Sequence, residues 1–241
     1  MTSSTRDGAP LRQSEPPETL RRRFELASTR LNIGDREYDM LRPRNIDDLI
    51  SEEDFNLDDR IPYWAECWPS ARVLAERISR NPGDGRRLLE LGCGIGLVSA
   101  AAAQAGYRVL ATDYYADALE FTAANMARHH LRRVDTRLVD WRKLPHDLGR
   151  FDVVAASDVL YEKPQATLIA AAFSATLAPG GLGLLSDPGR RHASGLIEEC
   201  SKLGLQADCV EQVPMADGGT ELTISVFEIR RDYGPCSGAV A

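Results

Sequence analysis

Residues 88–96 read Leu-Leu-Glu-Leu-Gly-Cys-Gly-Ile-Gly, and they restrict the fold more than any other stretch of the chain. An apolar run carries an acid, Glu90, and glycines follow at alternate positions: Gly92, Gly94 and Gly96. Glycine is needed where the backbone takes positive φ or must approach a neighbour more closely than a Cβ permits. The alanine-rich run from Leu97 to Ala105 forms helix readily, and Gly106 suits the position just past its end. Strand, glycine turn and helix open a nucleotide-binding βαβ unit.

Spacing decides which nucleotide fits. The dinucleotide fingerprint G-x-G-x-x-G needs glycine at 92, 94 and 97, but position 97 is Leu97. A phosphate-cradling loop ends in G-K-[ST], and this loop has no lysine. An acid at the head of the loop suits a ligand with positive charge or hydroxyl donors, such as the sulfonium, amino group and ribose of S-adenosylmethionine (SAM). The run Tyr107–Asp113 reads as the next strand, ending in an acid about 20 residues after the glycines. A carboxylate there can accept both ribose hydroxyls. The plainer reading makes Asp113 a cap for the helix that starts near Tyr115. Helix 115–129 leads to a third strand, Thr136–Val139, followed by Asp140 and Trp141. Asp140 can accept from an adenine amino group with Trp141 packed beside the ring; a turn aspartate and a core tryptophan are the alternative.

Composition narrows the class. The 241 residues suit one α/β domain with additions. A net charge of −7 and a pI near 5.2 exclude the basic face of a general nucleic-acid binder. No apolar run approaches the roughly 18 residues of a membrane span, and the N-terminus has no secretory apolar core. The cysteines Cys67, Cys93, Cys200, Cys209 and Cys236 are scattered, which suits a reducing cytoplasm. They form no C-x-x-C pair and the histidines lack ligand spacing, so no metal is expected. A cytoplasmic monomer without nucleic-acid or membrane partners is the expectation.

The expected organisation is a disordered tail over 1–20, a hairpin and acidic extension over 21–60, the main domain over 61–231 and a flexible tail over 232–241. Gly34-Asp35 between Phe24–Leu31 and Glu37–Leu41 reads as a β-hairpin turn. A short helix is expected over 44–50, capped by Asn45. The acids Glu52, Glu53, Asp54, Asp58 and Asp59 either attract a cation or form a solvated surface. Tyr63, Trp64 and Trp68 cluster ahead of a helix over 71–80, either covering the sheet edge or walling a site. Further strands are expected at 151–157, 182–186, 205–213 and 221–230, with helices at 164–177 and 190–203 and a hairpin turn at Gly218-Gly219. The fold class is thus a Rossmann-like, doubly wound seven-stranded α/β sheet. It is mostly parallel, ends in an antiparallel C-terminal hairpin and carries an N-terminal hairpin extension.

Ligands of such sheets bind beyond the carboxyl ends of the strands, and the strand at 151–157 ends in Asp158-Val159-Leu160-Tyr161. Here a likeness can be stated. E-x-G-x-G-x-G from Glu90 resembles the first motif of the seven-β-strand SAM-dependent methyltransferases. Asp158…Tyr161 resembles the D-x-x-[YF] of their family-16 branch, which modifies lysine side chains. Pro62-Tyr63-Trp64-Ala65, Trp68-Pro69 and Asp187-Pro188-Gly189-Arg190 are most similar to the electron transfer flavoprotein β-subunit lysine methyltransferases of that branch. The resemblance implies SAM as cofactor, a lysine-bearing protein as partner, and Asp158 and Tyr161 as catalytic residues. The cofactor would be held by Trp68, Glu90, Gly92, Gly94, Gly96, Asp113, Tyr114, Asp140, Trp141 and Ser157. The alternatives are a small-amine N-methyltransferase on the same fold, or an inactive SAM-binding interaction module.

Overall fold

The computed structural model describes residues 15–46, 49, 62–161, 164–190 and 194–231. The expected helix over 44–50, the acidic stretch and the C-terminal tail lie wholly or largely outside these residues. Two strands, β1 (Leu26–Ile33) and β2 (Arg36–Pro43), pair antiparallel in a sheet of their own, with Gly34-Asp35 as the turn. The main sheet comprises β3 (Arg87–Leu91), β4 (Arg108–Asp113), β5 (Val134–Leu138), β6 (Phe151–Ser157), β7 (Leu177–Asp187), β8 (Leu205–Asp217) and β9 (Thr220–Arg231). Its order is β5-β4-β3-β6-β7-β9-β8, parallel from β5 to β7 and antiparallel through β9 and β8. The expected fold class is borne out.

Neighbouring residues of the central strands face opposite layers, as the period of two requires. Leu88, Val109 and Val153 join one apolar cluster, whereas Leu89, Leu91, Val154 and Ala156 join the other. The helices α2 (Pro69–Ser79), α3 (Leu97–Gln104) and α4 (Ala116–Arg128) pack with the first layer; α5 (Gln165–Thr176) and α6 (Ser194–Lys202) supply the second. Pro69 stands in the first turn of α2, where its missing N–H leaves no helix bond unmade.

Three elements differ from the sequence expectation. Residues 18–23 form a helix, α1, across the boundary expected at residue 20 between a disordered tail and the hairpin extension. Leu20 is buried in the main core, and Arg23 pairs with Asp117 and Glu120 of α4. Pro179-Gly180-Gly181 does not precede a strand but lies within β7, where pairing with β6 slips between Phe151 and Val153 and absorbs the irregularity. The helix expected from 190 begins at Ser194, because the Arg190 amide bonds the Asp187 carboxylate in a turn.

The hairpin is part of the main core. Leu31, Ile33, Tyr38, Met40 and Leu41 are buried in the same cluster as α4. Asn125 of α4 locks it in place. Its Oδ1 accepts from Leu41 N–H at 2.7 Å, and its Nδ2 donates to the carbonyls of Leu41 at 2.9 Å and Ile95 at 2.8 Å. Arg128 and Asp39 add a buried ion pair at 2.8 Å.

Candidate active site

The strand order reverses at β3, which has β4 on one flank and β6 on the other. Crossovers leave such a point on opposite faces and open a crevice beyond the strand ends. A cavity of about 350 Å³ lies there, within the roughly 300–1,000 Å³ of small-molecule sites.

The glycine loop is its floor. Gly92, Gly94 and Gly96 have φ of 74°, 53° and 88°, and each is needed for a different reason. A Cβ on Gly92 would lie 3.1 Å from both Trp141 and Val159, which line the cavity with it. On Gly94 it would lie 2.9 Å from the Trp64 carbonyl oxygen. On Gly96 it would lie 2.8 Å from the Thr122 hydroxyl, so Gly96 lets α3 settle on α4 and stands off the cavity wall. The loop turns its amides inward. Gly92 and Cys93 both donate to Thr112 O at 2.9 Å, Gly94 donates to Asp113 Oδ2 at 2.9 Å, and Gly96 donates to Cys93 O at 2.8 Å. A phosphate loop instead aims such amides at its ligand.

Glu90 also departs from the expected site. It is buried beneath the loop, accepts the Ser99 hydroxyl and is absent from the cavity wall. Burial pushes its pKa up to about 8, against the pull of hydrogen bonds from Ser99. The acid at the head of the loop therefore braces the first turns of α3, where backbone N–H groups lack helix partners.

Asp113 holds both the loop and the head of α4 and faces the cavity. Oδ1 accepts from Tyr115 N–H at 3.0 Å at the start of α4, and Oδ2 accepts from Gly94 N–H at 2.9 Å in the loop. Burial pushes its pKa up to about 6, and the amides of Tyr115, Gly94 and Tyr114 pull it back. With three amides on two oxygens the carboxylate retains some acceptor capacity, and the residue lines the cavity. Asp140, also on the wall, caps the short turn Trp141–Lys143 through Arg142 N–H at 2.9 Å. The Arg142 guanidinium bonds both carboxylate oxygens, at 2.9 and 3.1 Å, which holds the Asp140 pKa below the usual range. Arg142 also lies over the Tyr114 ring at 5.2 Å. Trp141 packs on the second apolar layer and lines the cavity, its indole N–H buried without a partner among the described residues.

The opposite wall begins at Ser157. Asp158 follows with φ of +57°, a left-handed conformation rare for a residue with a Cβ, and its N–H donates to Ser186 O at 3.1 Å. That bend tips the carboxylate to the cavity edge. Oδ1 lies 3.0 Å from Arg190 Nη2, while Oδ2 is buried without a partner among the described residues. Burial pushes the pKa up to about 6; Arg190 and the Ser70 hydroxyl oppose the rise and Asp187 adds to it. Helix α5 starts at Gln165 behind Pro164, so Asp158 is not its cap. Tyr161 stands at the rim, 36% exposed, with its ring 5.2 Å from that of Tyr63. Trp68 completes the aromatic wall 6.0 Å from Tyr63 and donates its indole N–H to Tyr63 O at 2.7 Å.

The structure thus gathers every expected site residue around one cavity except Glu90 and Gly96. The aromatic cluster follows the site-wall reading: Tyr63, Trp64 and Trp68 all line the cavity, and Trp64 also packs in the core against Phe24 and Phe121. Sequence reasoning missed Arg142, Glu66 and Gln165 on the wall. Arg142, two residues past Asp140, carried a signal in its spacing; Gln165 carried none. Glu66 is paired with Arg42 of β2 at 3.1 Å. Among the described residues the wall holds Glu66, Asp113, Asp140 and Asp158 beside Arg142; Arg42, Arg142 and Arg190 pair with Glu66, Asp140 and Asp158, so Asp113 is the acid there held by amides instead of a cation.

Residues 88–181 match a family model described as a methyltransferase domain. The chain is 32% identical over 133 residues to the cypemycin N-terminal methyltransferase of Streptomyces sp., covering 53% of each protein. It is 29% identical over 137 residues to the electron transfer flavoprotein beta subunit lysine methyltransferase of Xenopus laevis, covering 55% of each. The chain therefore spans about half the length of the curated relatives it matches. Among solved structures, a 16S rRNA N2 methyltransferase of T. thermophilus, in complex with AdoMet and guanosine, superposes with a TM-score of 0.60 at 16% identity. That match covers 86% of this chain and 50% of the other. The likeness read from the glycine loop and D-x-x-Y is borne out by these matches, which centre on residues 88–181.

Proposed function

We propose that this methyltransferase-domain chain binds SAM in the cavity beyond β3, β4 and β6 and methylates a lysine side chain of a protein. The observation that carries the proposal is the pairing of two unlike walls on one acidic cavity. One wall offers Asp113, Tyr114 and Asp140, and the other offers Asp158 within an aromatic frame.

The residues suit SAM. Gly92 leaves open the space that a side chain would fill. Asp113 keeps lone pairs for ribose hydroxyls, Asp140 keeps acceptor capacity for an adenine amino group, and the inward amides offer no phosphate cradle. When bound, SAM supplies a methyl group on a sulfonium, which calls for a neutral nucleophile in line with it. A lysine amine, with a pKa near 10.4, costs about 4–5 kcal/mol to deprotonate at pH 7. A carboxylate alone raises that pKa and a neighbouring cation lowers it, so Asp158 serves to anchor and aim the amine. Tyr63, Trp68 and Tyr161 present ring faces to an ammonium and its alkyl stem. Holding the two partners in register is the main contribution the chain makes to the rate.

Relatives named for a peptide N-terminus and for a protein lysine support an amine acceptor on a protein. The net charge of −7 weighs against the RNA acceptor of the structural neighbour. The position of Tyr161 at the exposed rim favours a side chain reaching in from solvent over a small amine held inside.

Incubation with methyl-labelled SAM and a lysate of the source organism tests the proposal. Label on a protein band at lysine, abolished in Asp158→Asn, supports it. Label confined to small solutes moves the acceptor to a small amine, and label in RNA overturns the lysine assignment.

A further inference from the structure

Arg190 lies behind the acceptor wall, off the cavity surface, and touches three of its parts at once. Nη2 pairs with Asp158 Oδ1 at 3.0 Å, and Nη1 donates to the Asp158 carbonyl at 3.0 Å. The same guanidinium lies 5.9 Å from the Trp68 ring centroid and 6.0 Å from that of Tyr161. Its own placement is fixed from below. Asp187, fully buried at the end of β7, accepts the N–H groups of Gly189 and Arg190 at 2.8 Å each through Oδ1. Gly189 supplies the left-handed turn at φ of +80°.

We infer that Arg190 is the positioning residue of the acceptor wall, clamping the side chain and carbonyl of Asp158 while backing Trp68 and Tyr161, so that an incoming amine meets a fixed, ionised carboxylate. The inference rests on the lysine reading above for its acceptor, though not for its geometry. A planar guanidinium can make two directed bonds and stack on rings at the same time, which an ammonium cannot match. Asp158 sits in a conformation that few residues tolerate, and its Oδ2 has no partner among the described residues. A carboxylate so placed needs an external hold to keep one orientation. The groups that face it are Asp187 at the end of β7, Arg190 from the turn after it and Ser70 from α2, with Tyr161 and Glu66 on the same cavity wall. Among these described neighbours Arg190 alone is a cation, so its charge favours the ionised form of Asp158 against the effect of burial.

The test compares the full chain with Arg190→Lys and Arg190→Gln in three measurements. These are carbon-13 NMR titration of aspartate carboxyls, with Asp158→Asn identifying the resonance; calorimetric titration with SAM; and transfer of labelled methyl to lysate proteins. In Arg190→Gln the Asp158 midpoint rises by about one pH unit or more, label transfer falls about tenfold or more, and SAM affinity stays within about threefold. Arg190→Lys restores most of the titration shift and part of the transfer, having the charge without the fork. Arg190→Met, which keeps the stem packed on the rings, replaces the glutamine variant if that variant does not fold. An unmoved Asp158 midpoint in the neutral variants, or transfer at the wild-type rate, overturns the inference. If wild type labels no protein lysine while the midpoint still moves as stated, the lysine reading fails and the role of Arg190 stands.

Discussion

The two walls of the cavity are built in different ways. On the β4 side, Asp113 is held by backbone amides, from Gly94 in the loop and Tyr115 at the head of α4. On the β6 side, Asp158 is held by the side chain of Arg190 from beyond β7, and its second oxygen has no partner among the described residues. Amides cannot be mutated away and barely move, so the first wall is rigid whatever side chains surround it. The second wall depends on side chains, Arg190 foremost with Ser70 beside it, and can be retuned by substitution.

Gly92→Arg attacks the rigid wall most severely. The side chain would enter space bounded by Trp141 and Val159, and the position has φ of 74°. SAM affinity should fall about a hundredfold or more. A folded variant that titrates calorimetrically like wild type removes the loop from the ligand site. Asp158→Asn attacks the other wall: transfer should fall about a hundredfold while SAM affinity changes less than about threefold. Equal losses in both would mean that the walls are not separable. In the wild type, transfer should decline as acid protonates Asp158 below about pH 6; a flat profile from pH 5 to 8 would contradict its role as an ionised anchor. Asp113→Asn is milder, since one oxygen remains to accept. A loss of about tenfold in SAM affinity is expected, and full affinity would reassign the ribose contact.

Glu90→Gln sharpens the contrast by touching neither wall, and SAM affinity should not change. Its effect is on stability. The folded pKa of about 8 lies above the ordinary carboxyl value of 4.5, so the folded state binds a proton that the unfolded state has released between those values. Stability from Glu90 is complete below about pH 4.5 and lost as pH rises through about 8. Glutamine stays neutral, so the variant should gain on wild type by on the order of a few kcal/mol between pH 5 and 9. Parallel melting curves at both pH values would show that Glu90 is not titrating there.

Legibility followed the same division. The alternation of the glycines, the acids at strand ends and the two-residue turn at Gly34-Asp35 are local patterns, and the structure realises them. The arginine clamp on Asp158 joins residues separated by 32 positions, and no local periodicity encodes it. Glu90 misled because an acid beside glycines reads the same whether it faces a ligand or braces a helix; only the direction of its side chain separates the two. The helix at 18–23 was hidden because a single apolar residue, Leu20, anchors an otherwise polar run.

Asn125 ties Leu41 of the hairpin to Ile95 of the glycine loop through one side-chain amide. Pulling away the N-terminal strands would leave that amide stranded in an apolar layer, on the rear of the segment that shapes the cofactor floor. Trimming the chain to the sheet alone, starting near residue 62, should therefore disturb cofactor affinity before it disturbs the sheet. The hairpin thus braces the rear of the glycine loop, although none of its residues lines the cavity.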